Sequence, residues 1–431
     1  MFRPFQRFAA VVLPLALFAA TARAQQADAP EAADEEEVAL VSASVSDLLA
    51  QGGNAPPAVP AAPPQDVAAA PNDPTAAQRN QARSARNQYV RLSRAPNMFG
   101  DSLSPTGQLG IMTGGNVDPN GVRKGQNFVT DLPLGNNGSA KIGENNKALP
   151  MDRVYFVYNG FQQAITTTTT NGPISTTNRL AVNRYMLGVE KTFLDGAASL
   201  DVRLPFVGGY RASDPGNYAL SSGNLGNLSL TLKGLLYRDE QLALAAGAAL
   251  ALPTGSDLSG TVAGQAFTLR NNAVHLLPYA GFLSTPGDVN FFQGFVQLDF
   301  AANGNDLALG PLATKAGTFT QQNLLYLDFT AGHWLFRDLD SGRRLEGVAF
   351  FGELHYTSTI GNAQRLNFTG NGFNGALGSL TNHLDFLNLT SGLHFQLGPL
   401  ANLRVGAVVP LRTNPNRQFN SEVQVSFNRF F

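Results

Sequence analysis

A set of ionisable residues stands at positions that a chain of alternating character would turn to one side. They are Arg184, Glu190, Asp201, Arg203, Lys233, Asp299, Asp328, Glu353, His355, Arg404 and Glu422. Neutral polar residues share their parity, among them Gln293, Gln297, Asn388, His394 and Gln424. Between them the chain is apolar, as where Leu228, Leu230 and Leu232 alternate with Ser229, Thr231 and Lys233. Charges at the centre of such segments are costly against lipid and tolerable in a wet or paired interior. A single sign would predict an ion-selective pore, whereas this mixture predicts salt-bridge ladders, a small polar channel, or both. The competing reading is that these groups only satisfy one another inside a filled body.

Other chemistry is thin. The sequence holds no Gly-rich phosphate loop, no paired zinc-ligand histidines and no EF-hand pattern, so neither a cofactor nor a metal is expected. The histidines (His275, His333, His355, His383 and His394) fall on strand-like segments without helical ligand spacing. A lipid hydrolase built on a barrel would need a Ser–His pair on the outer face. His333 has the outward parity, but no serine can be assigned to it, and no enzyme activity is expected.

The elements that position these residues read as strands. About twelve segments from Arg153 onward have the composition and alternation of strands. They lie near 153–162, 183–193, 197–206, 226–238, 241–252 and 274–284, then near 289–300, 323–334, 346–358, 383–397, 401–410 and 419–431. Most approach the nine to eleven residues or so of a tilted membrane strand. Their connections alternate long and short. Ala164–Val182, Val207–Leu225, Pro253–Ala273, Ala301–Gln322 and Thr359–Asn382 are long. Leu194–Ala197, Arg238–Gln241, Thr285–Asp288 and Gly398–Ala401 are tight. Tight turns at one end and long loops at the other is the layout of an all-β, antiparallel up-and-down transmembrane barrel, whose tight turns are periplasmic. An even strand count then places both termini in the periplasm. Phe206, Phe300, Trp334, Tyr356 and Phe431, near strand ends, are expected in an interfacial girdle.

Composition agrees. Only 14% of the residues are charged and the net charge is −1, so nucleic acid is not an expected partner. After the N-terminus no apolar run reaches the roughly 18 residues of a membrane helix. With no cysteine, neither disulfides nor a lipidated anchor can form.

The N-terminal third differs. Residues 1–24 carry Arg3 and Arg7, an apolar run from Phe8 to Ala20, and Ala22-Arg-Ala24, the layout of a cleavable signal peptide. Residues 25–73 are an Ala/Pro/acidic linker, expected to be disordered. Residues 74–150 begin with a short helix carrying Arg79, Arg83 and Arg86, followed by a Gly/Asn-rich pre-barrel or plug segment. A cationic helix face there could touch peptidoglycan or lipid phosphates, although a solvated face is the plainer reading. Residues 151–431 form the expected barrel.

Two resemblances sharpen this reading. The last strand sets Phe419, Val423, Val425, Phe427 and Phe431 against Asn420, Glu422, Gln424 and Ser426. Its aromatic end, with Phe427 and Phe431, resembles the C-terminal signal that the barrel-assembly machinery of bacterial outer membranes reads. Gly143–Tyr158, Asn183–Phe193 and Ala249–Asp257 resemble outer-membrane channel proteins related to the MetA-type barrels of phenol-degradation pathways. That resemblance implies an outer-membrane barrel, surrounded by lipid, for passive passage of small solutes, hydrophobic or aromatic ones among them. The alternative from another class is a filled structural barrel that links the outer membrane to the cell wall or to a partner protein.

Overall fold

The computed structural model describes Leu92–Asp101 and the chain from Gln108 to Phe431, apart from residues 114–115, 118–122, 125, 132–140, 172, 209, 215–217, 263–264, 288, 339–341, 371–372 and 379–381. The expected leader, linker and Arg-bearing helix over residues 1–91 lie outside the described residues.

The chain from Arg153 closes a barrel of 12 antiparallel strands. They are β1 (Arg153–Asn171), β2 (Ile174–Phe193), β3 (Ala198–Val207), β4 (Leu228–Arg238), β5 (Leu242–Leu252), β6 (His275–Ser284), β7 (Asn290–Ala301), β8 (Asn323–Arg337), β9 (Gly347–Ile360), β10 (Asp385–Gln396), β11 (Ala401–Pro410) and β12 (Ser421–Phe430). Each pairs with its sequence neighbours, and β12 returns to β1 in a register running from Ser421↔Gln162 to Phe430↔Arg153. Closure leaves the main barrel sheet without an edge, which is what a strand needs where no water can satisfy a free N–H or C=O.

Alternation decides the two faces. On β12 Glu422, Gln424, Ser426 and Asn428 are buried inside, while Val423 and Phe427 are exposed. Outside, Leu187 is 51% exposed, Leu232 53%, Leu354 45% and Val423 48%, and comparable apolar side chains recur around the barrel. Keeping one such side chain in water rather than in an apolar medium costs about 1.5–3 kcal/mol. A continuous belt of them is a surface made for lipid, and the barrel is of the outer-membrane type. Among the described residues no helix is long and apolar enough to cross a membrane.

The tight turns gather at one end. Between β2 and β3, Leu194, Asp195 and Gly196 all have positive φ, the geometry of a short hairpin turn, and glycine takes the most left-handed position, at 80°. The other end departs from expectation. Ala164–Val182 is not a long loop: β1 runs on to Asn171 and β2 starts at Ile174, in register through a bulge between Phe161 and Ile165. The run Thr166–Thr170 is β-branched and pairs across the hairpin, with Thr168 and Thr177 hydroxyls 3.1 Å apart.

The remaining long connections also carry strands. Tyr210–Asp214, Tyr218–Ser222, Leu258–Val262, Gln265–Leu269, Asn305–Leu309 and Thr314–Phe319 form a six-stranded sheet. Arg365–Gly370 and Phe373–Gly378 form a hairpin, and between it and the extension of β1 lie Gln108–Thr113 and Gln126–Asp131 from before the barrel. These strands build an outer tier whose interior is apolar. Phe128, Tyr218, Phe267, Phe319 and Phe368 pack there with Leu109, Leu258 and Leu307, reaching down to Phe161 and Phe419 at the barrel rim.

Candidate functional site in the barrel lumen

Two stretches of irregular chain run through the lumen. At the tight-turn end, Leu92 packs with Ala243, Ala245 and Leu283, and Arg94 reaches Glu346 at 3.3 Å. The chain then climbs to Asp101, which meets Asn388 and His355 near mid-barrel. A second stretch descends from Lys141 through Asn146 to Leu149, back among Leu92, Ala95 and Ala243. The two run antiparallel and bridge each other, with Met98 N donating to Asn146 O at 2.7 Å and Asn145 N to Phe99 O at 3.3 Å. This Gly/Asn-rich stretch sits inside the barrel and fills the tight-turn half of the lumen.

The inward charges meet this segment and one another. Glu190 accepts from Arg153 Nε at 2.9 Å, Lys233 Nζ at 2.9 Å and the Ser199 hydroxyl at 2.7 Å, all fully buried. Lys233 also reaches Asn146 Oδ1 and the Leu149 carbonyl. Asp201 pairs with Arg203 at 2.8 Å and accepts from the Tyr155 hydroxyl. Arg184 holds Glu144 of the segment at 2.6 Å. Arg404 donates to the carbonyls of Asn97 and Met98 at 2.8 Å each, and to Asn145 Oδ1. Glu422 accepts from Asn159 at 2.7 Å, and Asp299 pairs with His275 at 2.6 Å near the outer rim.

The densest group is at mid-barrel. The Glu353 carboxylate takes the backbone N–H of Phe99 and of Gly100, each at 2.8 Å, and the Thr330 hydroxyl at 3.0 Å. His355 lies between Asp328 (2.8 Å), Glu353 (3.2 Å) and Asp101 (3.6 Å). Asp101, Asp328 and His355 present ligand atoms within 4.8 Å of one another. The Lys141 ammonium stands among them, bonded to Asp101 and 3.5 Å from Asp328, so the chain supplies its own cation there. Half of this constellation is absent from the strand-based reading, because Asp101 and Lys141 belong to a stretch without periodicity.

One further sequence expectation needs correction. Trp334 does not join a girdle; it is 5% exposed, turned inward beside a bulge between Trp334 and Phe336, and stands edge-on to His394 at 5.4 Å. His333 faces outward, as its parity implies, and its hydrogen-bond partner is Asn290 Oδ1 at 2.8 Å. Phe427 and Phe431 are exposed on the outside, and the Lys191 ammonium lies over the Phe431 ring.

At the lip, Asp152 ties the start of β1 to β2. Burial pushes its carboxyl up, but the Thr192 N–H and hydroxyl together with Lys191 outweigh this and hold it below the usual carboxylate range.

No family model matches the sequence, and no curated protein matches it. Among solved structures, the chain is similar to an outer-membrane channel from Pseudomonas putida F1, at 14% identity over 66% of this chain and 97% of that one, with a TM-score of 0.43. It is also similar to the translocator domain of autotransporter NalP from Neisseria meningitidis (10% identity, 83% and 97% covered, TM-score 0.40) and to a TodX monoaromatic hydrocarbon channel variant (8%, 65% and 91%, 0.37).

Proposed function

We propose that the barrel is an outer-membrane conduit for passive passage of small solutes, hydrophobic or aromatic ones among them, gated by its own luminal segment. The observation that carries this reading is how the segment is held. Leu92–Asp101 and Lys141–Met151 meet a wall of charged and amide side chains through hydrogen bonds and ion pairs, on irregular backbone. Exchanging such contacts for water costs on the order of 1 kcal/mol each, so the segment can shift by exchanging partners. A permanently filled interior would be served as well by apolar packing, which is often the more stable choice. The outer tier at the long-loop end encloses Leu, Val and Phe side chains, an environment that suits an apolar solute. The motif resemblance to phenol-pathway barrels points the same way.

In this reading the tight turns and both chain termini face the periplasm, the aromatic end of β12 engages the assembly machinery, and the mixed lumen charges set selectivity without favouring one ion sign. The rival reading, a structural barrel joined to the cell wall through residues 25–95, draws on the fully buried Glu190 network, whose charges have no access to water. Conductance of the full chain in planar lipid bilayers separates the two. The conduit gives brief stepwise openings of weak ion selectivity. Silence from a correctly folded, heat-modifiable barrel removes it in favour of the structural reading.

A further inference from the structure

Within the described luminal segment one side chain, that of Phe99, is aromatic. Phe99 is fully buried and packs with Phe291, Trp334, Ala349 and Phe351 from the wall. Its ring centroid is 5.2 Å from that of Phe351, and the Arg404 guanidinium lies over its face at 5.6 Å. The wall at this height is built to receive a ring. One cross-strand row reads Phe291, Gly332, Phe351, Gly392, Gly406 and Gln424 around β7 to β12. A Cβ on Gly406 would come 3.1 Å from the tip of the Phe99 ring, and one on Gly392 2.7 Å from that of Phe351. Glycine inside a strand forfeits packing and marks a place where something else must approach the backbone. Here the approaching groups are the facing strand's Val405 and Ser391 carbonyls together with aromatic rings, one of the rings delivered by the segment that blocks the lumen.

The backbone beside the ring is held as firmly as the ring. Glu353 takes the N–H of Phe99 and Gly100, Gln424 donates to the Phe99 carbonyl at 3.3 Å, and Arg404 takes the two carbonyls before it. Phe99 therefore couples occupancy of the socket to the position of the segment.

We infer that the socket of Gly392, Gly406, Phe351, Trp334 and Arg404 is a binding site for a small uncharged monocyclic aromatic, and that Phe99 is its resident self-ligand. An incoming ring competes with Phe99, and its entry frees the segment. This rests on the conduit reading and deepens it by naming the site and the trigger. The guanidinium over the face favours an aromatic ring over a saturated one of equal size.

Trp334 is the only tryptophan of the chain, so its emission reports the socket directly. The test uses the full-length barrel in detergent, with benzene and cyclohexane as probes, on the natural chain and on Phe99→Ala. A site occupied by its own ring most of the time loses apparent affinity by the fraction left free, so F99A should bind benzene at least about tenfold more tightly. Cyclohexane should be several-fold weaker in the same variant. If F99A does not yield a heat-modifiable barrel, Phe99→Leu replaces it, with the same ordering expected. A folded variant whose Trp334 emission shows no saturable response to benzene overturns the inference, as does equal response to both probes. Benzene flux into liposomes is read separately. Saturable binding without flux keeps the socket and removes the conduit, and flux without binding does the reverse.

Discussion

At the scale of single residues, the lumen is organised by carboxylates that each collect several donors. Glu190 is the clearest, with two cations, a hydroxyl and the Met151 N–H at 3.2 Å on one buried side chain. Removing it leaves Arg153 and Lys233 as uncompensated buried charges, for which the general cost is about 3–5 kcal/mol. Glu190→Ala is therefore expected to unfold at markedly lower urea than the natural barrel, and Glu190→Gln to lose less. A midpoint for E190A within error of the natural protein would show that these charges reach water. Glu353 differs in what it holds, since two of its partners are backbone N–H groups of the luminal segment. Glu353→Gln keeps the volume but weakens both bonds, because a charged acceptor is roughly twice as strong as a neutral one. Its expected signature is more frequent opening in bilayers with little change in the urea midpoint. Fewer openings than in the natural protein would refute the holding role.

At the scale of elements, the seam between β12 and β1 closes the barrel, and Asp152 stands at its foot. The Phe431 N–H reaches the Asp152 carbonyl at 3.2 Å, while the Asp152 side chain caps Thr192 of β2. Its carboxyl is held below the usual range, so its contribution is fully present above the ordinary aspartate value of about 4. That contribution is lost as pH falls through the lowered native value. Amide exchange at Thr192 and Phe431 should accelerate on acidification through this window in the natural protein. It should be fast and pH-insensitive, after correction for intrinsic exchange, in Asp152→Asn. Equal protection in both would show that the lip is held elsewhere. The elements themselves differ in how legible they are. Strands such as β4 and β12 announce themselves because lipid on one face and a polar lumen on the other force a period of two. The upper halves of β1 and β2 run past the other barrel strands into the outer tier, where that contrast fades and a run of threonines reads as a loop. The luminal segment is harder still. Its backbone has no period, and its partners lie far along the chain, as Asn388 does for Asp101 and Gln424 for Phe99. The parity of the wall could turn Glu353 and Arg404 inward, but nothing local in the sequence says what they hold. Trp334 shows the same limit, because a bulge beside it separates proximity to a strand end from membership of a girdle.

At the scale of the whole molecule, the chain threads its own barrel before building it. The luminal stretches flank a pair of strands, Gln108–Thr113 and Gln126–Asp131, that are stitched into the outer tier between Phe373–Gly378 and β1. The segment is thus fastened at the far end by a ladder of backbone hydrogen bonds. Opening by withdrawal of the whole segment toward the tight-turn end would break that ladder, whereas a sideways shift around Phe99 would not. The two routes can be told apart because the natural chain has no cysteine, so an engineered pair reacts alone. Asn145 of the segment donates to Asn428 of β12 at 3.1 Å. Cysteines at these positions, joined by a short thiol-specific cross-linker, would pin the segment to the wall. A second pair, Gly110→Cys with Val129→Cys, which are register partners in the outer ladder, would pin only the far end. A lateral gate predicts that the first link abolishes solute flux into liposomes, reversibly on reduction, and that the second leaves it intact. Flux lost with the second link would mean that the outer ladder must open and the segment must leave. Flux unchanged by the first would mean that solute passes beside a stationary segment, and the gate would have to be sought in the apolar tier above it.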